Sequence, residues 1–196
     1  MTLGSAQPRD VPIAGVTAPS IDRFGVVWAS STDAPGVVWA VAPGREPVQV
    51  PVPFDGEVAA VRVSPDGSRA LLLTRGNAGS QVWLATIRRN DVDAQYSFEA
   101  VTELDLFPAR VEALTWVGET TVAALVPEND AESTIEVFTL GGWLQILSAP
   151  PEISTITAGS TLGSLLVQRP DGTAFQRAGA AWIELDNSIQ EISFAG

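Results

Sequence analysis

Residues 58–88 read VAAVRVSPDGSRALLLTRGNAGSQVWLATIR, and apolar and polar positions alternate, break and resume along them. An alternating strand runs into Ser64-Pro65-Asp66-Gly67-Ser68-Arg69. A short apolar strand follows at Ala70–Leu73. A short Gly76-Asn77-Ala78-Gly79 link then leads to a third strand, Gln81–Ile87, which carries Trp83. Period-two alternation is the mark of a half-buried strand. Pro, Asp and Gly in that order make a tight turn: Pro presets φ, Asp bonds its own backbone, and Gly accepts positive φ. The pattern predicts an antiparallel meander, with Gly67 and Gly172 as the hairpin glycines that need positive φ.

The meander repeats. Ser20 and Asp22 precede Val26-Val27-Trp28 as Ser64 and Asp66 precede Ala70-Leu71-Leu72, and Val38-Trp39-Ala40 matches Val82-Trp83-Leu84, all at an offset of 44 residues. A third copy starts at Val111 and a fourth at Ile153, the latter turning at Pro170-Asp171-Gly172. Each copy places an aromatic on its third strand: Trp39, Trp83, Phe138 and Phe175. The last two share a fourth strand, Trp143–Ile146 and Trp182–Leu185. Four strands in roughly 40–50 residues is the period of a propeller blade. The expected fold is all-β: a small β-propeller of about four four-stranded antiparallel blades, or part of a slightly larger one. The four aromatics are expected at equivalent, largely buried positions.

Punctuation supports this division. Prolines fall between copies, at Pro51–Pro53, Pro108 and Pro150-Pro151, where the chain must leave one sheet for the next. Arg89–Ser97 reads as a polar insertion within the second copy. Residues 1–10 read as a tail or appended sequence and 11–196 as the propeller domain. One further strand within residues 1–18 would close the ring or belong to another blade.

Composition then narrows the chemistry. The chain has no Cys, no His and no Lys; its eleven basic residues are all Arg. Ser-His-Asp and Cys-His sites, Schiff-base lysines, P-loop lysines and Cys/His zinc sites are thereby excluded. Carboxylate chemistry and oxygen-ligated metals remain. The net charge of −12 argues against nucleic acid and against direct adhesion to anionic lipid. No apolar run approaches the ~18–20 residues of a membrane span.

Individual candidates read mostly as structure. Asp22, Asp66 and Asp171 are expected as turn residues rather than as metal ligands or catalytic carboxylates. Asn90–Asp93 and Glu128–Glu132 resemble fragments of calcium loops but lack the full ligand order. No catalytic, cofactor or metal residue is assigned. Trp39 and Trp83 are expected in the core, and Trp143 is the tryptophan expected to be partly exposed. In a propeller, the loops between second and third strands share a face with the blade-to-blade links. Here those are Asp33–Gly36, Arg75–Ser80, Pro127–Ser133 and Arg169–Gly172, with Phe54-Asp55 and Phe107-Pro108 as links. A protein partner would be expected there, around Arg75, Asn77, Glu128, Asn129 and Asp130.

Several segments resemble one family. Pro19-Ser20-Ile21-Asp22-Arg23-Phe24-Gly25-Val26-Val27-Trp28 is similar to the pattern P-S-W-D-R-x-G-x-x-W-T. Val61–Ala70 is similar to L-R-V-S-x-D-G-x-R-x-A, and Gln81–Arg89 to the Q-V-x-V-A-x-V-x-R that follows. Glu191–Gly196 resembles a closing D-P-A-Y-P-G. Ile21 and Ala195 depart from the pattern. These segments belong to the C-terminal β-propeller of the LpqB lipoproteins of actinobacteria, and the resemblance is strongest over residues 19–89.

The resemblance implies a parent protein with a lipidated N-terminal cysteine and a GerMN-type domain, held on the outer face of the cell membrane. It implies a non-enzymatic interaction domain without cofactors, regulating the MtrA–MtrB two-component system through the extracytoplasmic region of an MtrB-like sensor histidine kinase. Two other readings stand beside it. One is a carboxylate-based small-propeller glycoside hydrolase, which needs converging Asp/Glu side chains. The other is a purely structural spacer.

Overall fold

The computed structural model describes residues 13–185, except 18, 78, 91, 92, 94, 106–109, 130 and 131. Four antiparallel sheets follow one another along the chain, each of four strands in sequence order. Blade 1 holds β1 (Ser20–Ile21), β2 (Val27–Ser30), β3 (Val37–Val41) and β4 (Val48–Pro51). Blade 2 holds β5 (Glu57–Val63), β6 (Arg69–Gly76), β7 (Gly79–Asn90) and β8 (Gln95–Glu103). Blade 3 holds β9 (Ala113–Val117), β10 (Thr121–Pro127), β11 (Ser133–Thr139) and β12 (Leu144–Ser148). Blade 4 holds β13 (Thr155–Thr157), β14 (Leu166–Gln168), β15 (Ala174–Ala178) and β16 (Ala181–Glu184). A single 3₁₀ turn at Leu162–Ser164 is the helical part of the described residues. This is the propeller arrangement that the repeat predicts.

The second strands carry the most continuous apolar runs because both of their faces are covered. Leu71, Leu72 and Leu73 of β6 are all essentially inaccessible, as are Val122–Leu125 of β10. Alternation sends successive side chains to opposite faces. Leu72 therefore joins a cluster shared with blade 1, around Trp28, Val38 and Val61. Leu71 and Leu73 join one shared with blade 3, around Leu114, Val122 and Phe138. A third cluster, with Leu125, Ile135, Val167 and Phe175, joins blades 3 and 4. Polar contacts reinforce the seams: Val63 N–H donates to Ser20 Oγ at 3.0 Å, and the Trp116 indole N–H to Arg62 O at 2.9 Å.

The four third-strand aromatics obey one register. Trp83 packs on the blade 1 side of its sheet, Phe138 on the blade 2 side and Phe175 on the blade 3 side. Trp39 lies between Val38 and Ala40, which both face blade 2, so it too points toward the preceding position of the ring.

Burial departs from expectation at two of them. Phe138 and Phe175 are buried, but Trp39 and Trp83 are half-buried. Trp83 stacks at 4.5 Å on Phe54, and its indole N–H donates to Thr74 Oγ1. Phe54 is therefore a half-buried packing residue of the blade link. Arg89–Ser97 is likewise not an insertion: β7 and β8 extend through most of it, with Arg89 paired to Tyr96. Its polar and charged residues break the apolar alternation while the strands continue, and Tyr96 within it is buried. Near the N-terminus, Val16 makes an isolated bridge to Ser31.

Candidate functional site

Each second-to-third-strand loop and each blade link opens on the same end of the array, as the topology requires. Val58 N–H reaches Pro35 O, and Val111 N–H reaches Ser80 Oγ, tying links to loops. Two concavities lie on this face. One, of about 560 Å³, is lined by Arg75, Ser80, Arg110, Glu112, Pro127 and Asn129 among others. The next, of about 410 Å³, shares Glu112, Pro127 and Asn129 and adds Glu152, Arg169 and Asp171. Together they form one groove across blades 2, 3 and 4.

The expected partner residues divide. Arg75 and Asn129 both line the groove. Arg75 is exposed, and its guanidinium donates to Glu112 O at 3.3 Å. Asn129 staples its own loop: its Nδ2 donates to Glu132 Oε2 at 2.8 Å, and Glu132 N–H donates to its Oδ1 at 3.0 Å. Asn77 and Glu128 are exposed but do not line the groove. Glu128 instead accepts from Thr134 Oγ1. Asp130 lies outside the described residues. Arg110, Glu112 and Glu152 complete the groove without having been singled out by sequence. They sit on blade links, where no strand period announces them.

Groove chemistry is of mixed sign. The guanidinium groups of Arg75, Arg110 and Arg169 and the carboxylates of Glu112, Glu152 and Asp171 all line the groove. Arg169 Nε donates to Pro151 O at 2.9 Å, and its guanidinium lies over the Phe175 ring at 4.9 Å. The Thr173 amide hydrogen bond holds the Asp171 carboxyl below its ordinary value. No group of three or more Asp or Glu arranged to hold a metal occurs among the described residues.

At the opposite end, three of the segments that carry the resemblance meet. Asp22, whose side chain is inaccessible, accepts from the amides of Phe24 and Val26 at 2.8 and 3.0 Å and from the Trp28 indole at 2.8 Å. Arg89 reaches over from β7 and donates through Nη2 to Asp22 Oδ2 at 2.7 Å and to Gly67 O at 2.6 Å. Its guanidinium also lies 4.7 Å from the Phe24 ring centre and 5.5 Å from that of Trp28. Asp22 is thus a turn residue, as expected, and also half of a buried pair joining blades 1 and 2.

Asp66 keeps to its own turn. Burial pushes its carboxyl up, but hydrogen bonds from the Ser64 hydroxyl and from the Ser68 amide and hydroxyl, with the charge of Arg69, outweigh this and lower it to about 2. A carboxyl lowered on folding stabilises above its unfolded value, and that stability is lost as pH falls through the folded one. The gap in Tm between wild type and Asp66→Ala is therefore expected to be full above pH ~4 and to close toward pH about 2. A gap unchanged at the acid end would overturn the assignment.

Comparison with known proteins follows the same lines. A family model described as "Lipoprotein LpqB beta-propeller domain" matches residues 5–191. No curated protein matches the chain. Among solved structures, TolB from Acinetobacter baumannii is similar at a TM-score of 0.56 and 13% identity, over 82% of this chain and 40% of that one. A chain of the nidogen/laminin complex is similar at a TM-score of 0.59 and 12% identity, over 91% of this chain and 63% of that one. This chain spans less than two thirds of either structure's length, and at such identity the likeness is one of fold.

Proposed function

As the chain belongs to the family of LpqB β-propeller domains, we propose that it is a non-enzymatic protein-interaction module of an envelope lipoprotein. Its partner is the extracytoplasmic region of an MtrB-like sensor histidine kinase, and through it the parent protein regulates the MtrA–MtrB system. The observation that carries this reading is the groove across three blades, lined by both Arg and carboxylate side chains. A surface of mixed sign suits a protein face, where complementary charges steer encounter and set register. Its loops and blade links are tied to one another, as by Val58 N–H to Pro35 O and Arg75 to Glu112 O, which suits recognition by a preformed surface. Membrane attachment through a lipid anchor of the parent protein, which the family resemblance implies, is part of this proposal; among the described residues no helix is long and apolar enough to cross a membrane.

Calorimetry of the domain against the kinase region tests the proposal. Arg75→Glu is expected to weaken binding about tenfold, or ~1.4 kcal/mol, and Asn129→Arg to weaken it by a similar factor. Binding is expected to fall only partly with salt, since rim charges govern the approach more than the bound state. No binding by the wild-type domain would sink the proposal for the propeller. Unchanged affinity in both variants would move the contact off the groove.

A further inference from the structure

The outermost strands of the four blades are not alike. β4 contains Pro51 and follows Pro47. β8 is kinked at Ala100, whose φ is 47°, and carries Glu99 and Glu103. β16 is short and ends in Glu184. β12 has none of these features: its five residues, Leu-Gln-Ile-Leu-Ser, contain no charge and no proline, and they pair with β11 without a bulge. Charge, proline and bulges are what normally keep an edge strand from pairing with another chain.

The register shows which backbone groups are available. Thr139 N–H donates to Trp143 O, and Ala149 N–H to Ser133 O. In an antiparallel pair, hydrogen-bonded residues alternate with residues whose N–H and C=O point away. Trp143, Gln145 and Leu147 therefore face β11, while Leu144, Ile146 and Ser148 direct their backbone groups outward. The outward carbonyl of Ser148 accepts the Trp182 indole N–H at 2.9 Å, so blade 4 caps that end. Leu144 and Ile146 have 50% and 60% of their surface exposed. Ile146 stands directly across from Glu136 on β11, on the same sheet face. Burial and then the charge of Glu128 push the Glu136 carboxyl up, so two carboxylates crowd beside this edge.

We propose that the β12 edge receives an extended segment of another protein by strand addition, its apolar side chains covering Leu144 and Ile146 and a basic side chain reaching Glu136. Strand addition draws affinity from main-chain hydrogen bonds and specificity from alternate side chains. Charge selects the occupant. A second copy would bring another chain of net charge −12 and the same two carboxylates to the seam, whereas a basic, apolar segment complements both. The edge shares no residue with the groove, so either site can fail without the other.

The probe is a capped peptide containing Val-Thr-Arg-Thr-Val, which puts valine and arginine on one face of the added strand, titrated into isotope-labelled domain. Amide exchange at Leu144 and Ile146 is expected to slow, with Gln145 already protected. Ile146→Pro removes one outward donor and leaves the pairing with β11 intact, as proline is tolerated on an edge whose N–H faces solvent. It should weaken binding about tenfold or more, with native amide protection in β10 reporting that the fold survives. Glu136→Gln should weaken the arginine peptide but not a peptide with threonine in its place. The proposal is overturned if Leu144 and Ile146 exchange as before at millimolar peptide. It is overturned equally if sedimentation finds a dimer that Ile146→Pro dissolves, which would give the edge to a second copy.

Discussion

Asp22→Ala is expected to cost about 3–5 kcal/mol of stability, the range for breaking a buried ion pair from one side. The pair itself need not be a large net stabiliser, because both charges were desolvated to form it. The damage lies in what remains. Arg89, with 12% of its side chain exposed, keeps its charge and loses its counter-ion. The Phe24 and Val26 amides and the Trp28 indole lose their acceptor together, and buried donors left unsatisfied are costly. At roughly 2–4 °C per kcal/mol for a chain of this size, Tm should fall by about 10 °C. Arg89→Ala in the Asp22→Ala background should add little, so a double-mutant cycle should return strong coupling. Thermal denaturation of the four proteins checks both statements. A loss below ~1 kcal/mol in the single variant would mean that the pair behaves as a surface contact.

Gly67→Val carries the second large expectation. Gly67 has a φ of +72°, where a β-branched residue is strained. A Cβ placed there would stand 2.9 Å from Phe24 Cε2 and 3.2 Å from Arg89 Nη2. Backbone incompatibility alone costs on the order of 1 kcal/mol. Displacing Arg89 disturbs the same pair that Asp22 anchors, so the total expected is ~2–3 kcal/mol, within the range for strain added to a disturbed buried network. Phe24 is half-exposed and free to be cut back. The Phe24→Ala, Gly67→Val double variant should therefore recover part of the loss while the φ strain remains. A neutral Gly67→Val, or no recovery on removing Phe24, would overturn the account. Gly172, at φ +92°, stands in the same Pro-Asp-Gly order but turns the second-to-third-strand hairpin of blade 4, at the other end of the array. The two glycines share a backbone need and differ in their place in the blade.

That difference shows how far the sequence reaches. Both positive φ values follow from the Pro-Asp-Gly order, because a tight turn is decided by residues within it. The neighbour that makes Gly67 sensitive comes from β7 and from the turn before β2, and no local pattern points to it. Asp22, Asp66 and Asp171 look alike in sequence, each ahead of a glycine or a tight turn. Asp66 and Asp171 bond within their turns, while Asp22 also takes Arg89 from 67 residues away. Trp39 and Trp83 match at the repeat offset and share a register, yet their burial depends on what the preceding blade and its link bring. The shared face of the loops was legible because strand order dictates it. The membership of the groove was not: Arg110, Glu112 and Glu152 enter from links, and Asn77 stays outside it despite its place in a lining loop.

By itself the sequence determined the four-blade order, the hairpin turns, the register of the third-strand aromatics and the catalytic chemistries that the chain cannot perform. Each depends on short-range periodicity or on residue types simply absent. Only the tertiary structure decided that Asp22 and Arg89 form one buried pair, that Arg75 and Asn129 share a groove, and that β12 has an unguarded edge. Those outcomes depend on which blades lie side by side and which edges are left uncovered. Side-chain partners across a seam are chosen by packing between sheets, and a one-dimensional pattern carries no record of it.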